Sequence, residues 1–290
     1  MEEIKNSILT YTTTTSDCQK MKILMDPIEY LHGLGKKENT FNLFGMSLFE
    51  IGKKNFEFIK SEEELNMFLQ HIQNIFVQAY KNYEDPNKNV PIKLYRSISK
   101  KELDYLNKTK NIHTLWSTTN SFDTALGFTV EMEENDPLIL EFSTKEKVPF
   151  IDVDHDAKTV FEPNEFILVP SFKISNVKLK KPGQRNILGI YSTDNIPIYT
   201  ANFKPVNNNS VEDVNMEKMY TLYQGVIKNF FVYRDWIEQY VQEERDDGFF
   251  YDSGYRSWAR DLKNYINLQQ RYVYKCIREE RPIDKIMIKK

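Results

Sequence analysis

Phe161-Glu162-Pro163-Asn164-Glu165-Phe166-Ile167-Leu168-Val169-Pro170 opens on a turn at Pro163-Asn164 and runs through four consecutive apolar residues to a second proline. An apolar run this short, with breakers at both ends, predicts a buried strand. Glu165 stands at its mouth. Carboxylates are seldom enclosed without a partner, so Glu165 is either a solvated strand end or a group held in place for chemistry. The rest of the chain decides between the two.

Working outward, strand grammar continues on both sides. Upstream, Val90-Pro91-Ile92-Lys93-Leu94-Tyr95-Arg96-Ser97-Ile98 alternates in part and puts Arg96 on the face opposite Tyr95. A charged helical piece over 100–108 follows, then a second strand over 112–119, whose Ser117 and Thr119 share a face. A small helix over 123–128 comes next, flanked by Phe122 and Phe128. Strands are expected at 138–142 and 148–153 before the Glu165 strand, and at 172–179, 187–191 and 196–199 after it.

Helices flank this β unit. Ser61-Glu62-Glu63-Glu64 is a capping box, in which the Ser hydroxyl takes a backbone N–H and Glu64 reaches back. Leu65, Phe68, Leu69, Ile72, Ile75, Phe76, Ala79 and Tyr80 then recur at helical spacing up to Asp85-Pro86. His71 sits within that stripe and is expected to be a partly buried structural residue. The stretch 27–52 reads as short helical turns broken by Gly33, Gly35 and Gly45. Residues 1–22, polar and carrying Thr12-Thr13-Thr14-Thr15-Ser16, read as a frayed tail. A cap at 210–213 begins a helical region that breaks at Asp246-Asp247-Gly248 and resumes over 255–280. The expected organisation is a tail over 1–22, a catalytic unit over 23–205 with N-terminal helices, and a helical accessory or target-binding region over 206–290.

At 290 residues, 40% hydrophobic and 13% aromatic, the chain can bury one large core or two small ones. A net charge of -3 with interleaved signs gives no attraction to nucleic acid or to an anionic membrane. Cys18 and Cys276 lie far apart, so neither a disulfide framework nor a cysteine metal site is expected. His32, His71, His113 and His155 are scattered, so no metal is expected. No apolar run approaches a membrane span, and the N-terminus lacks the features of a secretory signal peptide. The expectation is a cytoplasmic protein, or an effector secreted without a cleavable leader.

Arg96, Ser117 and Glu165 lie on three strands in that order, within Leu94-Tyr95-Arg96, Ser117-Thr118-Thr119 and Glu165-Phe166-Ile167-Leu168-Val169-Pro170. In this order, spacing and strand context, roughly residues 60–205 resemble the Arg-Ser-Glu clade of mono-ADP-ribosyltransferases, a group that includes bacterial toxins and injected effectors. The resemblance implies an α+β fold with a mixed β-sheet core, N-terminal helices and no metal. It implies NAD+ as substrate and a target protein as acceptor. Glu165 is then the catalytic carboxylate, Ser117 orients it and the ribose, and Arg96 binds the pyrophosphate. Thr118 and Thr119 would line the NAD+ site with an aromatic ring on the nicotinamide, Phe128 first and Phe122 second. Phe161 and Glu162 would face the acceptor.

These residue types suit the chemistry. Breaking the nicotinamide–ribose bond develops positive charge on the ribose, which a fixed carboxylate stabilises. A guanidinium offers a planar fork to a pyrophosphate, where a lysine offers only a point charge. One departure stands out: arginine-modifying members carry Glu or Gln two positions before the catalytic Glu, and here that position is Pro163. The acceptor type is therefore open. Two further readings remain, an NAD+ glycohydrolase using water as acceptor and a non-catalytic protein-binding module.

Overall fold

A computed structural model describes residues 2–13, 15–27, 58–91, 93–130, 136–144, 146–158, 164–170, 172–184, 195–205, 214–243 and 253–285. The chain opens with helices α1 (Glu2–Thr13), α2 (Thr15–Met25) and α3 (Glu62–Glu84). The β unit follows as β1 (Lys93–Ser99), α4 (Lys100–Thr109), β2 (Asn111–Ile112), β3 (Trp116–Thr119), α5 (Phe122–Val130) and β4 (Pro137–Thr144). It continues with β5 (Phe150–Asp152), α6 (Val153–Ala157), β6 (Glu165–Leu168), β7 (Phe172–Lys181) and β8 (Ile198–Pro205), and the long helices α7 (Met216–Glu243) and α8 (Ser253–Arg278) come last. This is the expected α+β architecture. The sheet order is β2-β7-β8-β4-β1-β3-β6-β5, with β4 and β8 parallel and the remaining pairs antiparallel.

Because successive strand residues point to opposite faces, the β3–β6–β5 end of the sheet serves two cores. Phe150, Trp116, Phe166 and Leu168 join Leu94, Phe142, Phe172 and Phe203 in a core built between strands and closed by Leu103 and Leu106 of α4. Their alternates Leu115, Ile151 and Ile167 turn to the helices and join Ile72 and Phe76 of α3, Ile8 and Tyr11 of α1, and Trp258, Leu262 and Ile266 of α8. The apolar run after Glu165 is continuous because both faces of β6 are covered.

The cap of α3 forms with one difference. Ser61 Oγ accepts the Glu64 N–H at 3.2 Å, while Glu64 Oε2 accepts from the N–H of Lys60, at 2.8 Å, one residue further back than the capping box predicts. The strand expected over 112–119 is divided: β2 pairs with β7 and β3 with β6, and residues 113–115 cross between them. The frayed tail expected over 1–22 is instead the pair α1 and α2. Ile8 and Tyr11 are buried with Ile4 packed beside them, a stripe at four- and three-residue steps, and Met21, Ile23 and Leu24 of α2 are fully enclosed. Apolar area of this extent offsets the ordering entropy that a polar tail could not. The turns expected over 28–52, the strand over 187–191, the cap over 210–213 and the break at 246–248 lie outside the described residues.

No helix among the described residues is long and apolar enough to cross a membrane. The C-terminal helices share the helical core rather than standing apart from it. Gln270 of α8 donates to the Pro170 carbonyl at 2.7 Å, just past β6, and to the Tyr80 hydroxyl at 2.9 Å.

Candidate functional site

β1, β3 and β6 are consecutive neighbours in the sheet, so residues distant in sequence are brought together. Thr119 stands opposite Tyr95 on one side and Glu165 on the other, and Ser117 stands opposite Ile167. Tyr95, Ser117, Thr119 and Glu165 therefore share the face turned toward the helices. Ser117 and Glu165 are diagonal cross-strand neighbours, about 7 Å apart. Glu165 is buried, at 7% exposure.

Arg96 alternates to the other face. Its guanidinium carbon lies 5.0 Å from the centre of the Trp116 ring, a cation–π contact. It returns to the site through the main chain, where Nη1 donates to the Ser117 carbonyl at 2.7 Å. Arg96 thus braces the backbone of Ser117, which shares a sheet face with Glu165.

The two threonines expected to line the site hold the frame together. Thr118 Oγ1 donates to the Phe166 carbonyl at 2.8 Å, stitching β3 to β6, and Thr119 Oγ1 accepts the Ser121 N–H at 3.0 Å, starting the turn into α5. Of the two aromatic candidates, Phe122 packs edge-on against Tyr95 with ring centres 5.5 Å apart, on the Glu165 face. Phe128 is 41% exposed at the far end of α5. Phe161 and Glu162, with Pro163, lie outside the described residues, but the flanks of their turn are fixed. Lys158 and Asn164 both take left-handed backbone conformations, at φ 53 and 71, and the Asn164 N–H donates to Asp154 Oδ2 at 2.7 Å.

Three side chains at the site were not foreseen. Tyr11 of α1 is fully enclosed, and its hydroxyl lies 3.4 Å from Ser117 Oγ and 3.3 Å from the Leu115 carbonyl. Burial pushes its phenol well up, with Cys18 and Glu165 acting the same way and Ser117 and Arg96 opposing. Glu102 follows Ser99 at capping-box spacing, and Ser99 Oγ does accept the Glu102 N–H at 3.1 Å. Its carboxylate, however, turns inward to form an ion pair with Arg96 Nε at 3.5 Å. Burial raises the Glu102 carboxyl to about 7, against the opposing pull of Arg96 and Lys22. Lys22 of α2 is 3% exposed and is pulled down by burial, with Arg96 adding to the effect and Cys18 and Glu102 resisting it. A run of Ser-x-x-Glu before a helix was the available signal for Glu102. Tyr11 had only the spacing of Ile4, Ile8 and Tyr11.

His71 is the structural residue expected of it: Ser7 Oγ lies 2.9 Å from Nδ1, Phe68 packs edge-on at 6.0 Å, and burial lowers its pKa. No group of three or more His, Cys, Asp or Glu side chains suited to a metal occurs among the described residues.

No protein-family model matches the chain, and no curated protein sequence does. Among solved structures it is similar to the Vis toxin, an ADP-ribosyltransferase from Vibrio splendidus, at 12% identity and a TM-score of 0.35, over 73% of this chain and 77% of that one. Structures of Vis with the M6 inhibitor and with agmatine align at 12% and 13% identity and TM-scores of 0.31 and 0.25. The first covers 73% of this chain and 85% of its own, the second 56% and 93%. Overlaps this loose carry no functional argument.

Proposed function

We propose that the chain is a mono-ADP-ribosyltransferase that cleaves NAD+ at the nicotinamide–ribose bond and passes ADP-ribose to a side chain of a target protein. The observation that carries this reading is the convergence of Arg96, Ser117 and Glu165 on the adjacent strands β1, β3 and β6, with Ser117 and Glu165 diagonal on one face. The bond from ribose C1′ to the nicotinamide nitrogen breaks, and its electron pair leaves with nicotinamide. Positive charge develops at C1′, where the Glu165 carboxylate stabilises it and holds a ribose hydroxyl. The acceptor atom then bonds to C1′ and gives up its proton.

Arg96 is proposed as the partner of the pyrophosphate, and from the opposite face of the sheet its Nη1 steadies the Ser117 backbone. Thr118 and Thr119 keep β3, β6 and α5 in register around the substrate. Phe122 is the better placed ring for the nicotinamide because of its contact with Tyr95, with Phe128 second. Phe161 and Glu162 are proposed to face the acceptor, and no metal takes part. The target is proposed to be a host protein, and the C-terminal helices are proposed to help choose it.

Release of nicotinamide from NAD+ tests the reading. The wild type is expected to release it, chelator is expected to change nothing, and Glu165→Gln is expected to release it at a small fraction of the rate. Equal rates from wild type and Glu165→Gln would reject the assignment. Release with no transfer to any protein would make the chain a glycohydrolase.

A further inference from the structure

The hydroxyl of Tyr11 touches two groups that differ in what they can do. The Leu115 carbonyl only accepts, and a phenol carries a single proton. That proton goes to Leu115, 3.3 Å away, so the 3.4 Å contact with Ser117 Oγ must be made by the serine's proton. The chain of bonds has one direction: Ser117 to Tyr11 to Leu115.

Tyr11 is held firmly enough to impose this. It is 2% exposed, and Lys22 Nζ sits 5.7 Å from the centre of its ring. The helix that carries it is fastened to α3 by Ser7 against His71 at 2.9 Å and by Asn74 Nδ2 donating to Ser7 Oγ at 3.0 Å.

We infer that Tyr11 is a positioning residue: by taking up the Ser117 proton it leaves Ser117 Oγ a pure acceptor toward the Glu165 face, suited to receive a hydroxyl of the substrate ribose. The inference rests on the reading of the site as one that cleaves NAD+, and it changes one role in that reading. A serine whose proton is committed elsewhere does not donate to Glu165. Ser117 and Glu165 instead both accept, from hydroxyl groups set between them across the diagonal of about 7 Å. A ribose, with neighbouring hydroxyls, is the substrate group that supplies two such donors.

A double-mutant cycle of Tyr11→Phe, Ser117→Ala and the double variant tests this, in NAD+ cleavage and in thermal unfolding. Tyr11→Phe is expected to lower kcat about tenfold, the worth of one neutral hydrogen bond, with KM within about twofold of wild type. The double variant is expected to be no slower than Ser117→Ala alone, because the phenol acts only through the serine. Losses that multiply, a Tyr11→Phe rate equal to wild type, or failure of Tyr11→Phe to fold would each overturn the inference. If the wild type does not cleave NAD+ at all, the reading of the site is what fails. The unfolding cycle then decides the hydrogen-bond chain by itself, coupled shifts in Tm supporting it and additive shifts removing it.

Discussion

Glu165, Arg96 and Glu102 carry most of what single residues can test. Glu165→Gln keeps size and hydrogen-bonding capacity but removes the charge that acts on the transition state. It is expected to lower kcat by about a hundredfold or more while leaving the apparent NAD+ affinity within a few-fold, read from initial rates against NAD+ concentration. Arg96→Lys keeps the charge but loses the fork that spans the Ser117 carbonyl and faces Glu102. Weaker NAD+ binding and a lower Tm together are expected; a drop in Tm with unchanged affinity would make Arg96 a brace alone. Glu102 gives a pH signature. Its folded carboxyl titrates near 7, raised by burial from the ordinary 4.5. Between those values the folded chain holds a proton that the unfolded chain has released. The stability this provides is present below about 4.5 and is lost as pH rises through 7. Relative to wild type, Glu102→Gln is expected to gain roughly 3 kcal/mol between pH 5 and pH 8 in denaturant titrations. Parallel curves would show that Glu102 does not titrate there.

Among the elements, the C-terminal helices serve the fold whatever else they do. Trp258 of α8 is buried beside Phe230 and Tyr233 of α7 and donates to the Val226 carbonyl at 3.2 Å, and Leu262, Ile266 and Val273 lie in one cluster with Ile72, Phe76 and Val169. A chain ended at residue 205 is therefore expected to lose its cooperative melting transition, followed by circular dichroism. A folded, NAD+-cleaving truncation would instead support a separable accessory region. The elements the sequence revealed were those whose pattern is local: the capped stripe of α3, the short apolar run of β6 and the alternation in β7. What it hid is explained by packing. In α2, Lys20, Lys22 and Gln19 are buried along with Met21, Ile23 and Leu24, so the helix has no polar face for periodicity to detect. α1 is short, and its three-residue stripe is diluted by threonines. In the site, the placement of Arg96, Ser117 and Glu165 on three strands was legible from local pattern, while the adjacency of those strands in the sheet came only with the fold. The inward turn of Glu102 and the arrival of Tyr11 depend on contacts between residues far apart in sequence, which no local pattern encodes.

At the scale of the whole molecule, one sheet carries two cores, and the proposed chemistry lies on the face it shares with the helices. Ser117 and Glu165 face helices drawn from both ends of the chain, while Arg96 is anchored in the strand core and reaches the site through the Ser117 carbonyl. The central claim is that this arrangement transfers ADP-ribose from NAD+ to protein. Its most direct measurement is incubation of the full chain with NAD+ labelled in the adenylate and an extract of eukaryotic cells, with Glu165→Ala as control, followed by mass-spectrometric mapping of any modified residue. The account predicts label bound covalently to a protein side chain with the wild type and none with the variant. No labelled protein with the wild type would contradict it, whether or not nicotinamide is released.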